Sequence, residues 1–379
     1  MAVREMRWWP NYFLQKGKNF DGFWQRYLSS KQRNILYVLG KGFDPRMNCG
    51  IALILKANSD CRLTCMVINF EEGKYSPSQA YMNKVNSNFN ELKKLLGDQY
   101  DLIDEDIAML DGKKRIGGRR AAELFADRKK LTPYTDIIVD ISAMPRSIFF
   151  PLINQILIVL AYNDIREKKI NLHVVVAEDF SQDIRTSAKE LDENASYMFS
   201  FFADMELESH ADSPIIWFPV LGEGKQIQIS TIYKLLEPRI FNREIEVCPV
   251  LPFPSRNPKR VDNLIMEYHR FFVEHNIESR NVIFADEQNP FDVYHQIRNA
   301  GLHYDVALEP LGGCRKVVSA TSSKLLSLGA LMAAREGKMA VAFVGSQGYT
   351  LDKKEKEKES AIGDDCELFE IWINGEPYF

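Results

Sequence analysis

Between residues 34 and 179, apolar β-branched runs alternate with segments of helical period, and this alternation constrains the chain more than any other feature. NILYVLGKGF reads as a buried strand ended by Gly40 and Gly42, and PRMNCGIALILKAN as a helix with Pro45 in its first turn. LTCMVINF (63–70) is a second strand, and SPSQAYMNKVNSNFNELKKLLG a helix running from a capping Ser to Gly97. DLIDEDIAML reads as a third strand with acidic edges, and GRRAAELFADRKK as a short helix. TDIIVDIS is apolar on both faces, as a central parallel strand must be. SIFFPLINQILIVLAYNDIREKK is a long helix and INLHVVVAED (170–179) another strand. Such alternation predicts an α/β fold with a parallel sheet and helices on both faces.

Residues 244–349 repeat the plan. EIEVCPVLPF, NVIFADE, KVVSAT and MAVAFVG read as strands, and DVALEPLG as a strand or a strand and turn. RVDNLIMEYHRFFVEHN, NPFDVYHQIRNAG and SSKLLSLGALMAAREG read as helices, the second with Asn289 as cap and Pro290 at its first position. The halves share landmarks: GKGFDPRM with Arg46 against PFPSRNPKR with Arg256, VINFEEG against VIFADEQ, and DISAMPRS with Arg146 against SATSSKLLS with Lys324. The expected fold is two Rossmann-like, doubly wound parallel-sheet units in pseudo-symmetric tandem. The expected division is an aromatic N-terminal extension (1–33), a first unit (34–179), a connecting insertion (180–243), a second unit (244–349), and a charged linker with a terminal hairpin (350–379). In the insertion, DIRTSAKELDENASYMFSFFADMELES reads as helical and GKQIQISTIYKLL as a strand passing into a helix. Trp8, Trp9, Phe13, Phe20, Phe23 and Trp24 must pack on the first unit or on a partner.

Composition removes several classes. Hydrophobic residues at 45% and charged residues at 26% of 379 are the globular range, so the chain can bury real cores. A net charge of −4 gives no general basic field, which argues against general nucleic-acid binding and leaves room for a local basic pocket. The six cysteines are few for this length and suit a reducing cytoplasm; Cys61 and Cys65 lack the second pair a zinc site needs. The start MAVREMRWWPNYF has no signal-peptide core, and SIFFPLINQILIVLAYN is too short and too interrupted for a membrane span.

The two turns DISAMPRS and SATSSKLLS carry the chemistry. In a doubly wound sheet, ligands sit beyond the carboxyl ends of the strands, at the switch point. A turn there presents helix N–H groups and the positive end of the helix dipole. Small residues let an anion approach, and one base adds charge. The candidate ligand-binding residues are Arg46, Asp140, Ser142, Arg146, Ser147, Arg256, Thr321, Ser322, Ser323 and Lys324. Against this stands plain helix capping by Ser and Thr. No GxGxxG, GxxxxGK[ST] or GxSxG occurs, no histidine pair has metal spacing, and no catalytic residue or cofactor is assigned.

The segments DISAMPRSIFFPL (140–152) and SATSSKLLSLGALMA (319–333), with GFDPRM (42–47) and PFPSRNP (252–258), resemble CARF domains and the related SAVED domain. These are Rossmann-like sensors of prokaryotic CRISPR-associated defence systems. The resemblance covers 34–179 and 244–349. It implies a nucleotide second messenger, such as a cyclic oligonucleotide, and signalling to a separate effector, because no effector domain is recognisable here. Two other readings stand beside this sensor. One is a nucleotide or phosphate-ester hydrolase, ring-nuclease-like, centred on Asp140, Ser142, Arg146, Ser323 and Lys324. The other is a non-catalytic structural subunit whose turns only cap helices.

Overall fold

The computed structural model describes residues 6–8, 11–57, 61–112, 114–179, 186–201, 213–237, 245–351 and 366–378. The chain divides into two compact units, a larger one of Asn11–Glu190 with Gln347–Phe379 and a smaller one of Met1–Pro10 with Leu191–Ser346. Both are α/β.

The larger unit opens with β1 (Phe13–Lys16) and α1 (Lys18–Ser30). It then alternates through β2 (Asn34–Gly40), α2 (Cys49–Ala57), β3 (Arg62–Glu71), α3 (Met82–Leu96), β4 (Asp101–Ala108), α4 (Gly117–Glu123), β5 (Asp136–Asp140), α5 (Arg146–Leu160) and β6 (Asn171–Glu178). The smaller unit continues with β7 (Ser196–Tyr197), β8 (Ile215–Val220), α6 (Gln226–Leu236), β9 (Ile245–Val247), β10 (Val250–Pro252), α7 (Arg260–Glu274), β11 (Ile283–Ala285), α8 (Pro290–Leu308), β12 (Arg315–Ala320), α9 (Lys324–Gly337) and β13 (Ala340–Phe343). The chain then returns to the larger unit and ends on β14 (Glu367–Asn374).

The larger unit's sheet runs β1-β14-β6-β5-β2-β3-β4. Its five strands from β2 to β6 are parallel. Across the sheet they stand fifth, fourth, first, second, third. The smaller unit's sheet runs β7-β13-β12-β8-β10-β11, with β9 also beside β8. Its parallel strands β8, β10, β11, β12 and β13 stand in the same order. One antiparallel strand borders the fifth in each sheet, β14 in one and β7 in the other. The order reverses between the first and fourth strands, which is the doubly wound arrangement with its switch point there.

Burial follows from that placement. All five residues of β5 and all six of β8 are buried, as strands covered on both faces must be. Phe20, Trp24, Tyr37, Ile51, Ile54 and Leu92 share one core in the larger unit. Trp217, Ile229, Ile232, Leu264 and Tyr268 share one in the smaller. Among the described residues no helix is long and apolar enough to cross a membrane.

Several sequence expectations are corrected. The stretch 215–220 is not part of an insertion; it is β8, the first parallel strand of the smaller sheet and its most central. Residues 13–30 are not an extension, since β1 joins the larger sheet and α1 buries Phe20, Phe23 and Trp24 in its core. Trp8 instead packs within the smaller unit, 5.1 Å from the Tyr294 ring; Trp9 lies outside the described residues. Residues 305–308, read as the start of a strand, complete α8, because Gly301 serves close packing beside Met339 rather than a stop. Residues 226–230 are helical from the start, with Ile229, Ile232 and Leu236 on the buried side. Within 183–209, Thr186–Leu191 and β7 are strands, while 183–185 and 202–209 lie outside the described residues. The 244–253 strand breaks at Pro249, which has no N–H for the ladder. Among the described residues β14 is not half of a terminal hairpin: it inserts between β1 and β6, and Gly375 at φ +115° turns the chain into a last helical turn. Of the linker expected before it, 352–365 lie outside the described residues.

Candidate functional site

Each unit brings the turn after its first parallel strand against the turn after its fourth. In the larger unit, Val38-Leu39-Gly40-Lys41-Gly42 ends β2, and a Cβ on Gly42 would stand 3.3 Å from the Ala143 Cβ in the turn after β5. In the smaller unit, Val220-Leu221-Gly222-Glu223-Gly224 ends β8. A Cβ on Gly222 would stand 2.4 Å from the Thr321 carbonyl oxygen in the turn after β12, so only glycine lets these two backbones meet. The same five-residue pattern, Val-Leu-Gly-x-Gly, therefore closes the first strand of both sheets at the switch point.

The predicted residues of the larger unit divide into two sets. Asp140 and Ser142 are buried and tie strand ends together. The Tyr37 hydroxyl donates to Asp140 at 2.7 Å, and the Ser142 N–H donates to it at 2.8 Å. The Ser142 hydroxyl accepts from the Ala177 N–H at 2.8 Å, joining the turn to the end of β6. Burial, then the Asp140 carboxylate, pushes the Tyr37 hydroxyl well above its ordinary pKa; the same two causes push the Cys65 thiol up to about 12. Arg46 is also buried, 3% exposed, and its guanidinium lies on Asp44 at 2.6 Å and on the Ala177 carbonyl at 3.4 Å. Arg146 and Ser147 form the second set. They begin α5 and are half-buried, and Pro145, the residue before them, gives no side-chain cap.

The smaller unit shows the same division. The Thr321 hydroxyl donates to the Val220 carbonyl at 2.8 Å, and Ser323 caps α9 by accepting from the Leu326 N–H at 3.3 Å. Ser322 accepts from Arg260 at 3.5 Å. Lys324 begins α9 and is half-buried. Arg256 is exposed and follows the second parallel strand, not the first, so it is not the counterpart of Arg46. With β8 as the first strand, the counterpart of the turn at Gly40 is the turn at Gly222.

The residue that sequence reasoning missed here is Arg260. It is 3% exposed at the start of α7, and it holds Glu223 of the glycine turn through two contacts of 2.6 and 2.9 Å. Its third contact, 2.6 Å, is to Glu287 at the end of β11. Glu287 also accepts from the Arg256 N–H at 2.8 Å. One guanidinium thus gathers the turns after the first, third and fourth strands. The signal was present as the VLGKG/VLGEG repeat, which would have placed the first strand of the smaller sheet at 215–220.

Two further strand-end carboxylates are held by neighbouring groups. Asp136, at the opposite end of β5, is buried beside Arg33 at 3.0 Å and the Tyr27 hydroxyl at 2.5 Å. Asp286 accepts from the Gln288 N–H at 2.8 Å. Around the two crevices Asp140 is held by the Tyr37 hydroxyl, Asp44 by Arg46 and Glu287 by Arg260. What the arrangement can do is hold an anion beside half-buried helix starts that each carry a base.

No family model matches the chain, and no curated protein matches it. Among solved structures the chain is similar to a functionally unknown protein, PA1789, from Pseudomonas aeruginosa PAO1. The two are 10% identical, the match covers 84% of this chain and 93% of the other, and the TM-score is 0.22.

Proposed function

We propose that the chain is a ligand sensor that binds a nucleotide or another phosphorylated second messenger at the switch points of two Rossmann-like units, arranged as a pseudo-symmetric tandem. The observation that carries the reading is the repeated construction. Two sheets of one strand order each press a Val-Leu-Gly-x-Gly turn against a fourth-strand turn that leads into a helix beginning with a base, Arg146 or Lys324. Phosphate suits such a place because the helix N–H groups, the dipole and the base act in the same direction. The hydrogen bonds and ion pairs that occupy Asp140, Asp44, Glu223 and Glu287 favour binding over turnover, which sets the sensor ahead of a ring-nuclease-like hydrolase. The resemblance to CARF and SAVED domains supports a cyclic oligonucleotide as the messenger. It also supports a separate effector protein as the recipient of the signal, in cytoplasmic antiviral defence.

Mass spectrometry of small molecules released from freshly purified protein tests the reading. A nucleotide released in stoichiometric amount from the wild type, and lost from the Arg146→Ala or Lys324→Ala protein, is the expected result. Release of the same nucleotide from both variants would remove these turns from the site. The buried hydrogen bonds of Asp140, Ser142 and Thr321 favour one other reading, a structural subunit, and that reading predicts no released ligand.

A further inference from the structure

We propose that Phe253 and Phe284 form a stacking platform for a nucleobase beside the crevice of the smaller unit. The inference rests on the nucleotide reading above and gives the base its place. Phe253 follows β10 and Phe284 lies within β11. The two are 56% and 46% exposed, and their rings meet edge to face with centroids 6.0 Å apart. Two large apolar rings held side by side in water gain by being covered. The sheet does not ask for them. The Val-Leu-Gly-x-Gly pattern matches Val38 with Val220. Val38 pairs with Met66, and Met66 with Ile103. Val220 pairs with Val250, and Val250 with Ile283. By these registers Phe253 corresponds to Asn69 and Phe284 to Asp104. The larger unit fills the same two places with polar side chains, and Asp104 is exposed. The aromatic pair is therefore particular to the smaller unit and is not a packing need of the shared strand order.

The position suits a base. In an open parallel sheet a ligand lies beyond the carboxyl ends of the strands, and both rings stand at that end. Neighbouring strands are about 4.8 Å apart, so β10 and β11 lie about 5 and 10 Å from β8 and its glycine turn, the order of the reach from a nucleotide's phosphate to its base. Hydrogen bonds tie the platform to the crevice. The Phe253 N–H donates to the Ala285 carbonyl at 2.7 Å, and the Glu287 N–H donates to the Pro254 carbonyl at 3.0 Å. Glu287 is the residue that Arg260 joins to Glu223 of the glycine turn. The turn after β10 also carries Arg256 and Lys259, both exposed, so positive charge flanks the rings. Ring faces bordered by bases suit a nucleobase with its phosphate, and stacking of this kind accepts any base while favouring those that stack strongly. A purine nucleotide should therefore bind more tightly than a pyrimidine nucleotide with the same phosphate.

The test titrates the full-length protein into 2-aminopurine riboside 5′-monophosphate, whose fluorescence falls when its base stacks, and into ribose 5-phosphate, which has no base. The wild type should quench the nucleotide and bind it more tightly than ribose 5-phosphate. Phe253→Ala and Phe284→Ala should each weaken the nucleotide by about fivefold or more and leave ribose 5-phosphate unchanged. Phe253→Tyr keeps the ring and should keep the quenching. Nucleotide binding that both alanine variants retain in full would overturn this inference and leave the nucleotide reading standing. Failure of the wild type to bind either probe would overturn both. Nucleotide binding retained in full while a dimer of the chain is lost in the alanine variants would assign the rings to a protein contact, and would overturn the inference in that way.

Discussion

At the scale of single residues, two of the buried charged and titratable groups, Arg260 and His173, give direct tests. Arg260 pairs with Glu287 in a nearly dry setting, with side-chain exposures of 3% and 10%, and with the more open Glu223. Removing one member of a buried pair leaves the other charged and unsolvated, so Arg260→Ala should destabilise the smaller unit by about 3 kcal/mol. Glu223→Ala removes the partly solvated partner and should cost only about 1 kcal/mol. Urea midpoints of the two variants against the wild type check the ordering; equal losses would show that Arg260 does not hold the turns together.

His173 is the second of these groups. It is fully buried between Glu370 at 2.6 Å and Asp136 at 3.7 Å, within a cage of Trp24, Tyr27 and Trp372 rings. Burial alone would lower its pKa, but the carboxylates of Glu370 and Asp136 outweigh burial and raise it. A pKa raised on folding contributes stability that is complete below about pH 6.5, the unfolded value, and is lost as pH rises through the folded one. Thermal unfolding followed from about pH 6 to about pH 9 should therefore show falling stability in the wild type. His173→Gln should flatten that slope whatever its own cost. The network's acid limb has the opposite sign. Burial would raise Asp136, but His173 and Arg33 hold it well below the usual carboxylate range, so its contribution is lost only as pH falls below that range.

At the scale of elements, the glycine turns decide how closely first and fourth strands approach. A Cβ on Gly222 meets backbone at 2.4 Å, whereas one on Gly40 meets the movable side chains of Met144 and Phe70 at 2.9 Å. Gly222→Ala should cost about 3 kcal/mol and Gly40→Ala about 1, because side chains yield and a turn backbone does not. Circular dichroism in urea reads both. The same scale shows what the sequence made legible. β2, β3, β5 and β6 could be read because each is a largely apolar run between clear turn signals, as DIIVD and NLHVVVAE illustrate, and β4, acidic and more exposed, by the alternation around it. β8 was missed because IIWFPV carries a proline at Pro219 and follows a long polar stretch, so nothing local marks it as the first strand of a sheet. That single omission shifted the landmarks of the second half and paired Arg256 with Arg46. β14 was misread for a related reason: ELFEIWIN alternates as half of a hairpin would, but its partners lie in β1 and β6, far away in sequence. Arg260 could not be read as a clasp, since its partners Glu223 and Glu287 are brought to it only by tertiary packing.

At the scale of the whole molecule, two units of the same strand order carry the same turn device, and the proposed function rests on that duplication. The measurement that tests it most directly is thermal denaturation of the wild type, Arg146→Ala and Lys324→Ala proteins against a panel of mononucleotides and cyclic oligonucleotides. A ligand that binds only the folded protein stabilises it by mass action, by about 2.7 kcal/mol at a hundredfold excess over its Kd. At least one nucleotide should raise the Tm of the wild type, and the rise should shrink in both variants. A panel that leaves the wild-type Tm unmoved, or a rise that both variants keep in full, would contradict it.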